Sequence, residues 1–319
     1  MVDRLQFGTT LHARRWAAVA TLAAAVVAVF AYGASAAAPT NQGPDLASMG
    51  LAASDFAAGA SVQREGFTSP VAPAIAQYER LFRPGLRFGG HPIFDAKSAV
   101  YDFGSVGTAE LAFDEVRGAL TTRAGRRALM RALLANVPRG AGVAVPTAIS
   151  APVSMAVGQG AFRLRARFTL KSGTRSAWFE LVFVFERTDR ALAGVAFQSY
   201  PREHLATSIA LLAAQRMGAH FRSAFNVRNL APPSIGGTGQ QGQTLTANAG
   251  SWAGAPSGFT YQWARCDSAG GNCTAIPGAT GQTYVPGTAD KGNRIVVTVT
   301  AANSVTTSSL TSAPTNPVS

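Results

Sequence analysis

From Phe162 to Leu170 the chain alternates without a break. Phe162, Leu164, Ala166, Phe168 and Leu170 fall on one parity, and Arg163, Arg165, Arg167 and Thr169 on the other. Successive strand side chains point to opposite faces, so this segment is a strand with one buried and one wet face. Two more strands are expected directly after it. Residues 177–186 are rich in Phe and Val, residues 192–198 are apolar, and Gly173 and Thr188-Asp189-Arg190 supply the turns. Three consecutive strands on short links make an antiparallel meander.

Helical periodicity surrounds this meander. Thr108–Leu120 is amphipathic through Ala109, Phe113, Val116 and Leu120, and Arg126–Ala135 continues helically past Gly125. After the meander, Arg202–Phe225 is expected to form one helix with Pro201 at its entry. Leu205, Ile209, Leu212, Ala213 and Met217 would line its apolar stripe. Strands and helices mixed in this way place residues 45–230 in the α+β class. The 319-residue length exceeds one typical domain, and 47% hydrophobic with 14% charged residues argues against disorder.

The N-terminus reads as an export segment. Arg4, Arg14 and Arg15 precede an uncharged run from Trp16 to Ala38, and Ala34-Ser35-Ala36 offers a small-residue cleavage site. The expectation is a signal peptide over residues 1–36 and a linker over 37–44. The alternative is an uncleaved membrane anchor, since a run of this length can span a bilayer. Either reading places the rest of the chain outside the cytoplasm. There Cys266 and Cys273, the two cysteines of the sequence, are expected to form a disulfide. Closing so short a ring removes about 2.5 kcal/mol of unfolded-state entropy. The four histidines, His12, His91, His204 and His220, make no metal-ligand spacing with these cysteines.

From Pro232 the composition turns to Gly, Thr, Ser, Asn and Pro, and charge nearly vanishes. Short apolar-alternating runs between turn residues are an all-β pattern. Strands are expected at Thr244–Ala247, Thr260–Arg265, Gln282–Val285 and Arg294–Ala301. Ile295, Val297, Val299 and Ala301 share one face, and Trp263, in phase with Tyr261, anchors the core. Several strings here, namely Pro233-Ser234-Ile235-Gly236-Gly237, Gly250-Ser251-Trp252, Tyr261-Gln262-Trp263 and Asp290-Lys291-Gly292, resemble the bacterial immunoglobulin-like repeats of exported and surface proteins. The resemblance covers residues 231–319. It implies a β-sandwich with a spacer or adhesive role and no chemistry. Two departures follow. The cysteines lie seven positions apart and should staple the loop after the Trp strand rather than bridge two sheets. Arg294 stands where a corner tyrosine is expected, which leaves Trp263 to apolar packing alone.

Gly237-Thr238-Gly239-Gln240-Gln241-Gly242 matches the dinucleotide fingerprint in letters. That fingerprint needs a preceding strand and a following helix. Thr244–Ala247 reads as strand instead, so the segment is expected to be a turn connection.

In the α+β region, Leu51-Ala52-Ala53-Ser54-Asp55-Phe56, Glu65-Gly66-Phe67, Ala76-Gln77-Tyr78-Glu79-Arg80 and Val157-Gly158-Gln159-Gly160 resemble exported sensor-type domains of actinobacterial lipoproteins and kinase ectodomains. That group is similar to the PsbP-like α/β sandwich. The resemblance implies ligand or partner binding and carries no catalytic residues.

Chemistry is sparse. There is no G-x-S-x-G, H-E-x-x-H or Cys/His signature. His204 and His220 would lie on opposite sides of the expected helix, with His220 a hydrogen-bonded core residue and His91 a loop residue. Glu180 and Glu186 share a strand face about 20 Å apart, too far for a carboxylate pair, and Glu180 is expected to meet an arginine of the neighbouring strand.

The net charge of +12 concentrates in the middle region, where residues 39–230 carry 22 Lys and Arg against 13 Asp and Glu. Two arrays stand out: Arg163, Arg165 and Arg167 on the strand, and Arg123, Arg126, Arg127 and Arg131, with Arg139 nearby, on the helical segment. Basic faces of this kind contact anionic material; otherwise they are solvated surface. The candidate partners are anionic cell-wall polymer, a membrane surface or another envelope protein. Nucleic acid is not expected, because no binding motif is present. The expected protein is therefore exported and non-catalytic, with a binding or sensor-like α+β domain followed by an immunoglobulin-like module, no cofactor and no metal. The alternative is an extracytoplasmic enzyme with a site in the α+β domain.

Overall fold

The computed structural model describes residues 44–319 apart from Val71, Pro84 and residues 136–142. The expected export segment and Arg139 lie outside the described residues. The chain divides into two units, 45–221 and 222–319. Both are rich in antiparallel sheet, and the described residues hold four α-helices.

The first unit contains α1 (Leu46–Met49), β1 (Val62–Thr68), β2 (Ala76–Phe82), β3 (Leu86–Phe88), β4 (His91–Ile93) and β5 (Asp95–Asp102). Then come α2 (Val106–Thr121), α3 (Arg123–Ala135), β6 (Val143–Ile149), β7 (Val153–Met155), β8 (Gly160–Ser172), β9 (Arg175–Thr188), β10 (Ala191–Gln198) and α4 (Ser208–Ala224). The expected meander is β8-β9-β10, and it forms half of a larger sheet. The strand order is β1-β2-β5-β10-β9-β8-β6, with β7 also on β8. All of its pairings are antiparallel.

The period-2 pattern of β8 decides which layer each side chain joins. Phe162, Leu164 and Ala166 pair with Phe185, Phe183 and Leu181 of β9. Together they bury against Phe113 and Leu120 of α2 and Leu129 and Leu133 of α3. Ser105 caps α2, its hydroxyl accepting from Thr108 N at 3.2 Å. Thr122 then breaks the helix in an extended conformation, and its hydroxyl accepts from Gly125 N at 3.0 Å, which starts α3. A Cβ at Gly125 would overlap the Ala119 carbonyl, so only glycine allows the two helices to meet this closely. The opposite face of the sheet carries α1, the β3-β4 hairpin and α4. Phe88 packs on Phe197 at 5.0 Å and Phe56 on Phe82 at 4.5 Å.

One expected element is corrected. Residues 201–207 are not helical, and α4 begins at Ser208. Arg202 adopts φ 63°, a left-handed conformation. Its N–H donates to Trp178 O at 2.8 Å, and Leu205 N donates to a Glu180 carboxylate oxygen at 2.8 Å. The segment is therefore tied to β9, and bonding to the sheet replaces the helical turn that the apolar stripe suggested. His204 consequently lies outside α4.

The second unit holds β11 (Arg228–Ala231), β12 (Ser234–Gly236), β13 (Leu245–Asn248), β14 (Ser251–Ala253), β15 (Gly258–Cys266), β16 (Thr274–Ala275), β17 (Thr283–Tyr284), β18 (Arg294–Ala302) and β19 (Thr307–Thr311). It starts ahead of the expected boundary at residue 231, and β11 pairs with β14 within it. One sheet runs β12-β13-β17 and another β16-β15-β18-β19. Leu245 and Ala247 of the first share a core with Trp263, Ile295, Val297 and Val299 of the second. The glycine-rich segment 237–242 links β12 to β13 and leads into a strand, not a helix. Cys266 and Cys273 are disulfide-bonded and close the loop between β15 and β16.

Trp263 corrects a further expectation. It is fully buried, yet apolar packing is not its only support, because its indole N–H donates to Gly281 O at 2.9 Å. Its ring also stacks on Tyr284 at 5.6 Å. The Tyr284 hydroxyl donates to buried Asp290 at 2.7 Å, and Asp290 accepts from Arg265 and Gly287 N as well. A tyrosine from β17 thus braces this corner in place of one at position 294. Burial pushes the Tyr284 phenol up to about 12.

Candidate functional site

The two arginine arrays look alike in sequence and differ in their surroundings. On β8, Arg167 lies opposite Glu180 of β9. Glu180 is 5% exposed and serves as a hub. One of its oxygens accepts from Arg165 Nη1 at 2.8 Å and from Leu205 N at 2.8 Å, while the other lies 3.8 Å from Arg167 and 3.6 Å from His204. Arg165 Nη1 also donates to Leu205 O at 2.9 Å. Arg167 lies over the Trp178 ring at 4.7 Å and approaches His204 Nδ1 at 3.2 Å. Two of the three β8 arginines therefore hold the 199–205 segment on the sheet. Arg163 is half-buried and has no carboxylate within 4.0 Å among the described residues. The expected Glu180–arginine contact across strands is present. Glu186 lies further along β9, fully buried, and Cβ atoms at Gly158 or Gly218 would come within 2.5 Å of its Oε1.

The α3 array splits differently. Arg126 is half-buried and spends its guanidinium on the end of α2, Nη1 donating to Leu120 O at 2.8 Å and Thr121 O at 2.6 Å. Cations at a helix C-terminus satisfy its free carbonyls and its dipole. Arg126 is accordingly a cap and leaves the candidate contact surface. Arg123, Arg127 and Arg131 remain, all exposed. At i, i+4 and i+8 they form one stripe with steps of about 6 Å. Among the described residues none of the three has a carboxylate within salt-bridge distance. The nearest sequence neighbours of opposite sign lie on α2, where Glu110, Asp114 and Glu115 are exposed, Asp114 pairing with Arg117 at 3.4 Å and Glu110 with Arg187 at 3.6 Å.

A third polar cluster joins α4 to the segment after α1. His220 Nδ1 lies 2.8 Å from Gly50 O, an acceptor only, so Nδ1 carries a proton. Its Nε2 faces Asp55 at 3.5 Å, and Arg216 lies 3.9 Å from the same oxygen. The hydrogen bond to Asp55 raises the His220 pKa against the effect of burial. Burial pushes Asp55 up, and its bonds from His220 and Ala52 N outweigh that and lower it. This is the hydrogen-bonded histidine expected from sequence, joined to a carboxylate that sequence spacing did not reveal. His91 is exposed on β4 and lies 3.3 Å from the Ser208 hydroxyl. His204 and His220 occupy separate clusters. No group of three or more His, Cys, Asp or Glu with metal-binding geometry occurs among the described residues.

No family model and no curated protein matches the chain. Among solved structures, the extracellular domain of PknH from Mycobacterium tuberculosis is similar at a TM-score of 0.32 and 10% sequence identity, over 56% of this chain and 98% of that chain.

Proposed function

We propose that this chain is an exported, non-catalytic envelope or secreted protein whose α+β unit binds an anionic envelope component and whose second unit is an immunoglobulin-like module. The observation that carries the binding reading is the contrast between the arrays. Glu180 neutralises arginines of β8, while Arg123, Arg127 and Arg131 of α3 stand exposed with no carboxylate in reach among the described residues. Uncompensated like charges in a row favour an anionic partner.

Two further observations support the remaining parts, the leader pattern with the disulfide and the paired sheets of the second unit. The leader pattern and a disulfide both suit an oxidising, extracytoplasmic setting. No described helix is long and apolar enough to cross a membrane. The β12-β13-β17 and β16-β15-β18-β19 sheets, sharing a core around Trp263, agree with an immunoglobulin-like sandwich. The sensor-type, PsbP-like reading of the first unit rests on the sequence phrases that carry that resemblance.

Fractionation of producing cells, with N-terminal sequencing of the recovered protein, tests the reading. A chain beginning near Ala37 in the envelope or medium is expected. Full-length chain in the cytoplasm would overturn it.

A further inference from the structure

We infer that the α3 stripe binds a linear polyanion laid along the helix axis, rather than an anionic lipid surface. The inference rests on the extracytoplasmic binding role proposed above and narrows its partner.

The geometry supplies three reasons. Arg123, Arg127 and Arg131 span two turns, about 12 Å at 1.5 Å per residue. A chain bearing phosphate or carboxylate groups every few ångströms can meet each guanidinium in turn, with bidentate bonds that a planar fork favours. Second, three large apolar residues of α3 are already committed. Leu129, Met130 and Leu133 are buried in the unit's own core. An amphipathic helix that grips a bilayer must insert its apolar face, and these three side chains are already turned into the core. Third, α2 packs beside α3 and exposes Glu110, Asp114 and Glu115. A broad anionic surface that reached α2 as well as α3 would have to accommodate those carboxylates. A narrow chain confined to α3 would not. Charge complementarity thus favours a strand-like ligand over a plane.

The test measures binding of the full chain to immobilised long-chain polyphosphate, to neutral dextran, and to phosphatidylglycerol vesicles, over a salt series. Three proteins are compared: the unsubstituted chain, Arg123→Gln/Arg127→Gln/Arg131→Gln, and a control of equal charge change at scattered exposed positions, Arg83→Gln/Arg222→Gln/Arg228→Gln. Thermal unfolding of each variant checks that the fold is kept. The unsubstituted chain should bind polyphosphate and not dextran. The stripe variant should bind at least about tenfold more weakly, with the slope of log affinity against log salt reduced by about 2–3, near one unit for each lost ion contact. The control should change by no more than about twofold, as expected for screened charges away from the contact. Equal loss in both variants would mean that net charge alone drives retention, and the inference fails. It also fails if vesicles are held more tightly than polyphosphate, or if the stripe variant binds unchanged. Finding the protein in the cytoplasm would remove the exported role while leaving this binding result to stand or fall by itself.

Discussion

Replacing Arg165 by Gln and, separately, Arg127 by Gln should have very unequal consequences for stability, although both remove one arginine from a basic array. The Arg165 side chain is 21% exposed and its partner Glu180 is 6% exposed. Arg165→Gln removes a charged hydrogen bond to that carboxylate, worth about 1.5–3 kcal/mol, and a donor to Leu205 O worth about 1 kcal/mol. Glu180 then keeps Leu205 N and the longer approaches of Arg167 and His204. Residual solvent access to Arg165 lowers the total, so a loss of about 2–4 kcal/mol is expected. For a unit of this size each kcal/mol shifts Tm by about 2–4 °C, which gives a fall of about 4–16 °C. Arg127, exposed and with no ion pair among the described residues, should change stability by less than about 0.5 kcal/mol. Denaturant unfolding followed by circular dichroism, with Glu180→Gln and the double variant completing a cycle, isolates the pair; its coupling should be about 1–2 kcal/mol. The two arrays would have to be regarded as equivalent if Arg165→Gln and Arg127→Gln cost the same, or if the cycle showed no coupling.

The His220–Asp55 contact makes stability depend on pH. Since His220 is raised in the folded state, its contribution is complete below its ordinary value of 6.5 and fades as pH climbs through the raised one; Asp55, being lowered, contributes above 3.8 and fades as pH falls through its folded value. Chemical denaturation from pH 4 to 9 should therefore show a decline on the alkaline side that His220→Gln abolishes. In the second unit, Cys266→Ser/Cys273→Ser should lower unfolding stability by about 2.5 kcal/mol and leave the first unit's transition in place, as two calorimetric transitions would reveal. Tyr284→Phe strips buried Asp290 of one of its donors and should cost about 1–3 kcal/mol, measurable by the same calorimetry, whereas a neutral outcome would show that Arg265 and Gly287 suffice.

What the sequence disclosed follows burial. β8 was legible because one of its faces is apolar and the other charged. Strand β18 was legible from the alternation of Ile295, Val297, Val299 and Ala301, all inside. Strand β5 was missed, since every residue from Ala96 to Asp102 is buried and two covered faces leave no alternation to read. The short β12, β14 and β16 are two or three residues long, below the reach of any periodicity. The false start of α4 arose because Leu205 fits the helical stripe, while the bonds that hold residues 201–205 on β9 join positions about 25 apart. The candidate surface was half legible. Spacing identified the arginines, but only the fold separates Arg126, which caps α2, and Arg165, which holds Glu180, from the three that face solvent.

The order of strands also governs when this unit can form. β5 lies between β2 and β10, so residues 95–102 hydrogen-bond with residues 191–198. A chain emerging N-terminus first presents β1, β2 and β5 long before β10 is available to close the sheet. Such long-range pairing is slow, and strand edges left waiting are prone to stick to other chains. Completion of the sheet must therefore await the arrival of Gln198. Truncation anywhere in the roughly ninety intervening residues would leave β5 with a bare edge.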